Sequence, residues 1–280
     1  MITAAKLSAA LLLALAAVQA CAAPPAPAEP DPHWPAPTFD TVAPELPDLS
    51  RPAVLIVSKT NGFRHDSIAE AVPAIERLAA ARGWSSFATE NAAVFNAEQL
   101  ARFDVVVFAS ASGDLFTEDQ AAAFRQWVAE GNGFVAIHAS GDASMPDWFD
   151  AMIGGAKFIG HPGGEDQFQA GDLVIEDRAH PATRHLPARW RWTEEFYSFD
   201  PRPSADSQVL ARLDEAGLKL PGRLRMGDDH PMVWWRCEGR ARVLYSALGH
   251  QDDAWADEAH LQLLDSAMAW AARAEGEGCD

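Results

Sequence analysis

The sequence predicts an α/β sandwich built on a mainly parallel central sheet. Wholly apolar runs of strand length, such as residues 54–57 and 105–108, are what strands buried on both faces require. Amphipathic helical stretches separate them, giving the strand–helix–strand rhythm of right-handed crossovers. Four histidines sit beside such runs: His65 after 54–57, His138 closing 134–137, His230 before 232–235 and His250 after 243–248. Ligands of open α/β sheets bind in the crevice beyond the carboxyl ends of the strands. Imidazole is suited both to proton transfer near neutral pH and to metal ligation, so a polar pocket is expected at that end.

In chain order, residues 53–58 form the first strand and lead into the loop Lys59-Thr60-Asn61-Gly62. Ser67 and Glu70 have the spacing of a capping box for a helix reaching Arg82, with Pro73 able to shift its start or kink it. Residues 84–89 read as a short strand and 105–108 as a buried one. Thr117 and Gln120 cap a second helix that ends at Gly131, with Phe124, Trp127 and Val128 on one face. Residues 134–137 are the next strand. After residue 140 the rhythm gives way to glycine-rich loops and short strands near 172–176, 207–213, 232–237 and 242–247. Residues 257–272 close the fold as an amphipathic helix with Leu261, Leu264, Met268 and Ala272 on one stripe.

The first 20 residues read as an export signal: Lys6, then an apolar run over 7–18 that is too short for an ordinary membrane span. Val18-Gln19-Ala20-Cys21 resembles a bacterial lipoprotein signal, which would make Cys21 a lipidated first residue and membrane anchor. Ordinary cleavage near Ala20 or Ala22 would give a soluble exported protein instead. Residues 21–50 carry prolines at 24, 25, 27, 30, 32, 35, 37, 44 and 47 and are expected to act as an extended tether. The remainder, 51–275, is long enough for one well-buried domain.

A net charge of −18, from 40 acidic and 22 basic residues, excludes nucleic acid as a partner, since phosphate binding needs clustered Lys and Arg. Cys237 and Cys279 could pair in an oxidising compartment, but Cys237 lies in an apolar strand and reads equally well as a buried thiol.

Six segments together resemble the ThuA-like, or trehalose-utilisation, family. They are Asn61-Gly62-Phe63-Arg64-His65-Asp66-Ser67, Gly133-Phe134-Val135-Ala136-Ile137-His138, Gly154-Gly155-Ala156-Lys157-Phe158-Ile159-Gly160-His161-Pro162, Thr193-Glu194-Glu195-Phe196-Tyr197, Asp229-His230-Pro231-Met232-Val233-Trp234, and Arg242-Val243-Leu244-Tyr245-Ser246-Ala247-Leu248-Gly249-His250. The resemblance implies a flavodoxin-like, class I glutamine amidotransferase-like three-layer sandwich and a role in carbohydrate utilisation, sometimes beside dehydrogenases that make 3-keto-sugars. Those amidotransferases place a nucleophilic cysteine on the sharp turn after a central strand. The corresponding stretch here, Ile137-His138-Ala139-Ser140-Gly141, has none, and Ser140 lacks the Gly-x-Ser-x-Gly setting of a serine nucleophile.

The expected catalytic residues are therefore His65, His138, Glu195 and His250. Glu195, beside Phe196 and Tyr197, is favoured over Glu194 as a carboxylate in apolar surroundings. Asp66, His161, Tyr197 and His230 are the expected substrate contacts, while His180 and His185 read as surface residues. No short metal motif is present, although dispersed loops could still assemble a site for zinc or another divalent metal. The expected function is acid–base chemistry on a sugar or 3-keto-glycoside by an exported lyase or hydrolase. The alternative is a sugar-binding or scaffold module in which Trp148, Trp190, Trp192, Trp234 and Trp255 stack on sugar rings.

Overall fold

The computed structural model describes residues 31–279; the export signal, Cys21 and the start of the proline-rich stretch lie outside the described residues. The first half runs β1 (Ala53–Val57), α1 (Ile68–Ala81), β2 (Ser85–Thr89), α2 (Ala97–Leu100), β3 (Val105–Ala109), α3 (Glu118–Ala129) and β4 (Gly133–Ile137). The second half runs α4 (Asp147–Met152), β5 (Phe158–Gly160), β6 (Gln169–Ile175), β7 (Arg189–Glu194), β8 (Ser198–Phe199), β9 (Gln208–Asp214), β10 (Pro231–Glu238), β11 (Ala241–Ser246) and α5 (Glu258–Ala271).

One nine-stranded sheet, ordered β2-β1-β3-β4-β11-β10-β9-β6-β7, organises the molecule. From β2 to β11 the neighbours are parallel. Strands β1, β3, β4 and β11 are buried at every position, as their apolar runs require. Beyond β11 the sheet continues as an antiparallel meander through β10, β9, β6 and β7. There the burial alternates: on β7, Trp190, Trp192 and Glu194 point inward while Arg189, Arg191 and Thr193 face solvent. The broken rhythm after residue 140 is this change from crossover helices to hairpin-like returns.

The capping box predicted for α3 forms, with Thr117 and Gln120 bonding each other's backbone. Its Phe124 joins an aromatic layer with Phe95, Phe108, Phe116 and Phe134. The box predicted for α1 does not form. Ser67 Oγ donates instead to the Gly249 carbonyl, tying the start of α1 to the loop after β11, and Pro73 is accommodated inside the helix. On α5 the buried stripe is broader than expected and includes Leu263, Ala267 and Trp270.

Two expectations need correction, and one alternative left open is decided. Residues 31–50, read as part of a free tether, are laid along the domain. Buried Lys59 pairs with Asp40 at 2.8 Å and donates to Thr38 Oγ1, Gln120 donates to the Asp40 carbonyl, and Asn61 exchanges hydrogen bonds with Thr38. Proline-rich chain lacks internal hydrogen bonds, so its backbone is free to take side-chain partners from the domain. Second, Cys237 and Cys279 form a disulfide, joining the tail after α5 to β10. The same tail supplies the carbonyls of Glu275, Gly276 and Gly278 to buried Arg242, which also donates to the Trp270 carbonyl near the end of α5. Third, His180 is buried between Trp235 and Trp270, and His185 donates to the Ala259 carbonyl, so neither is a free surface residue.

Candidate active site

Parallel strands deliver their loops to one edge, and the register decides which side chains meet there. Ile137 of β4 pairs with Ser246 of β11. The next residues, His138 and Ala247, are therefore neighbours, and His138 Nδ1 donates to the Ala247 carbonyl at 2.9 Å. His138 itself turns sharply: its φ is 49°, a left-handed conformation in which His is enriched among non-glycine residues. This turn lifts the imidazole over the strand end instead of continuing the pleat, and the Tyr245 hydroxyl holds it by donating to the His138 carbonyl.

His250 follows Gly249, whose φ of 114° is closed to most other residues. Glu194, at the end of β7, fixes that loop by accepting from the backbone N–H of Gly249 at 2.8 Å and of His250 at 3.4 Å. The chain then crosses the end of the sheet as Glu195, Phe196 and Tyr197 before β8 pairs with β5. His65 comes from the loop after β1, its ring against Phe63 at 4.7 Å.

The result is a compact cluster. The rings of His65, His138 and His250 lie 4.7, 4.7 and 5.0 Å apart by centroid. One nitrogen from each and one Glu195 oxygen all lie within 4.8 Å of one another. His250 Nδ1 is 2.9 Å from Glu195 Oε2 and 3.0 Å from His138 Nε2. The Tyr197 hydroxyl is 3.0 Å from that same Nε2, and Glu195 Oε2 is 3.8 Å from it.

The protons do not suffice for these contacts. Because His138 Nδ1 carries its hydrogen toward Ala247, Nε2 presents a lone pair. His250 Nδ1 then faces a lone pair and a carboxylate with at most one proton to offer. His65 Nδ1 is buried without a hydrogen-bond partner. Burial, reinforced by the neighbouring imidazoles, pushes His65 down to about 3 and His138 well below its usual range, so both are neutral at pH 7. Burial also holds the Tyr197 phenol well above its usual range, so it keeps its proton and can donate to His138 Nε2 only while that lone pair is not on a metal.

A cation satisfies what protons cannot. Neutral imidazoles and a carboxylate are the donors that zinc and related first-row metals take. Tetrahedral ligands about 2.1 Å from zinc stand about 3.4 Å apart, close to the 2.9–3.8 Å separations measured here. The orienting bonds such a site needs are present. His138 is held by Ala247, while Glu195 Oε1 accepts from Gln167 at 2.5 Å and lies 3.1 Å from His161 Nδ1.

The comparisons with known proteins bear on this arrangement. The ThuA family, described as trehalose utilisation, matches residues 53–271. The chain belongs to the ThuA family. Its structure is similar to those of two ThuA-like proteins. The one from Bacteroides uniformis has 22% identity over 82% of this chain and 95% of that one, with a TM-score of 0.67. The one from Parabacteroides merdae has 18% identity over 81% and 91%, with a TM-score of 0.62. At these identities the likeness establishes the fold, the glutamine amidotransferase-like sandwich. No curated protein matches the chain.

Within the ThuA domain His65, His250 and Glu195 of the cluster line a pocket of about 340 Å³ with Trp34, Phe63, Asp142, Phe158, His161, Gln167 and Tyr197, while fully buried His138 touches His65 and His250 without lining it. The structure thus brings together His65, His138, Glu195, His250, His161 and Tyr197. It separates two others. Asp66 points to solvent and meets His33, outside this pocket. His230 is fully buried, with Nε2 on the Tyr197 carbonyl at 2.8 Å and Nδ1 on Glu215 at 3.0 Å, so it positions Tyr197 and cannot touch a substrate.

Sequence reasoning also missed three residues. Glu194, passed over in favour of its neighbour, is the anchor of the His250 loop; burial pushes its carboxyl up to about 7 against the opposing N–H donors of Gly249, Glu195 and Trp192. Asp142, four residues after His138, lines the pocket, and burial raises its carboxyl despite bonds from Ser144. Trp34 reaches the pocket from the N-terminal segment. The spacing of Asp142 from the strand end was a usable signal for the second of these; the other two depend on long-range packing.

Proposed function

We propose that this ThuA protein is an enzyme of carbohydrate utilisation whose reaction centre is a divalent transition metal, of which zinc is the leading candidate, held by His65, His138, His250 and Glu195. The observation that carries this reading is the convergence of four lone-pair donors, short of protons, at a pocket. When bound, such a cation would polarise a substrate carbonyl and stabilise an enolate oxygen. The substrate is a sugar or 3-keto-glycoside. In the latter case Asp142 takes the proton on the carbon between the ketone and the anomeric centre, and the electron pair moves onto the ketone oxygen. Collapse of the enolate restores the carbonyl and expels the anomeric substituent, with His161 placed to return a proton to the departing oxygen. Glu195, as a ligand, is not the base, and fully buried His138 orients rather than exchanges protons with substrate.

A purely binding module has little support, because Trp190, Trp192, Trp234 and Trp255 are core residues and Trp148 packs on Phe116. Export is part of the proposal. It is supported by the Cys237–Cys279 disulfide, which suits an oxidising compartment, and by the apolar run ending at Cys21. Mass spectrometry of the processed N-terminus decides between an acylated Cys21 and plain cleavage. A panel of glycosides and 3-keto-glycosides, run with zinc and with chelator, tests the chemistry. Turnover that survives complete metal removal would overturn it.

A further inference from the structure

Among the described residues the exposed large apolar side chains are Trp34, Phe39, Val42 and Phe168, and two of these four stand at the pocket. Trp34, 60% exposed, lines it and rests edge-on against Phe63 at 5.4 Å. Phe168, 38% exposed, follows the lining residue Gln167 and sets its edge against the His250 ring at 4.9 Å. They approach the cluster by different routes, since Phe63 packs on His65. Trp34 is also held in place. His33 stacks on Phe63 at 5.4 Å, and the Arg64 N–H donates to the His33 carbonyl. The Phe63 contact covers only part of the indole, and an ordered aromatic face left exposed where it lines a cavity is available to a ligand.

The cavity sets what that contact is. A volume of about 340 Å³ equals the room of about eleven waters at about 30 Å³ each, more than one sugar ring fills, and Trp34 lines that same space. Whatever is attached to a ring seated at the cluster therefore meets Trp34, with Phe168 close by, next to Gln167 and against His250. Pyranose rings present a face of C–H groups, and aryl groups a π-face; both cover an indole well.

Resting on the carbohydrate reading above, we propose that Trp34 and Phe168 form a second subsite for the ring joined to the sugar at the cluster, so that the substrate is a two-ring glycoside and not a free monosaccharide. The N-terminal segment is then part of the substrate site. The test is calorimetric titration of the zinc-loaded full chain with glucose, trehalose, cellobiose and 4-nitrophenyl β-glucoside. At least one two-ring probe should bind about tenfold more tightly than glucose. Trp34→Ala should abolish that advantage, weakening glucose far less, while leaving zinc stoichiometry unchanged, and Trp34→Phe should restore most of it. Phe168→Ala, an independent change at a partly exposed side chain, should reduce the advantage in the same way. The proposal is overturned if both alanine variants keep the full two-ring affinity, if they weaken glucose equally, or if zinc-loaded protein binds no two-ring probe. Failure to take up zinc would sink the metal centre instead, and the same titrations without metal would still judge Trp34.

Discussion

Metal addition should stabilise the folded chain by an amount that can be worked out beforehand. A ligand bound only by the native state, at a thousandfold excess over its Kd, adds about 4 kcal/mol. The folded unit spans residues 31–279. At about 2.1 cal/mol/K per residue its unfolding entropy is about 0.5 kcal/mol/K, so the melting temperature should rise by about 8 °C. Glu195→Gln keeps the size of the side chain but removes the negative charge, which imidazole ligands do not supply. In that variant the metal-dependent rise should fall below about 3 °C, measured as the difference between chelated and zinc-supplemented melts of the same protein. Scanning calorimetry with zinc, cobalt and magnesium gives the readout. A full rise in Glu195→Gln, no rise with any transition metal, or an equal rise with oxygen-preferring magnesium would each refute the assignment of these four residues as ligands.

Other outcomes follow from particular contacts. His138→Asn retains a residue that tolerates the left-handed turn and should fold, yet lose turnover by about 10²-fold or more on whichever glycoside is processed; full activity would make the imidazole structural. Burial pushes His260 down to about 4, and its Nε2 has no partner. A depressed folded value means stability is present above the unfolded pKa and is lost as pH falls, by about 2 kcal/mol between pH 7 and 5. Urea midpoints should show that increment in the parent chain and not in His260→Gln, and identical pH slopes would contradict it. Replacing both Cys237 and Cys279 by Ser opens a loop of 42 residues' separation and should cost up to about 4 kcal/mol, read as a lowered denaturation midpoint; an unchanged midpoint would mean that the tail's contacts with Arg242, Arg82 and Arg184 hold it without the disulfide.

The parallel half of the fold was legible because strands buried on both faces leave unbroken apolar runs, and each of His65, His138 and His250 directly marks a strand end or its loop. Glu195 was legible from its aromatic neighbours and, with Tyr197, from their family-like segment, but not their place in the site, since β7 stands at the far edge of the sheet and only the crossing chain returns them to the centre. Asp66 and His230 misled for opposite reasons. One sits beside a true site residue but on the outward side of the loop, and the other is fully enclosed, a difference of side-chain direction that spacing does not encode. The N-terminal segment misled through composition: its prolines announce extended chain correctly, but extended chain is equally suited to lying in a groove. The disulfide was undecidable because pairing depends on where the tail comes to rest, which Trp270 and Arg242 determine.

The left-handed turn at His138 has a consequence for redesign. A backbone that swings a side chain clear of the strand end is a mounting point, indifferent to which functional group is mounted. Here it carries an imidazole. His138→Cys would set a thiol on the same mount. The thiolate would find His65, His250 and Glu195 already gathered around it and would join them as a metal ligand. Loading such a variant with cobalt should produce a thiolate charge-transfer band, and its absence would show a free thiol. The turn fixes where a donor atom stands, and the residue at 138 decides which atom that is.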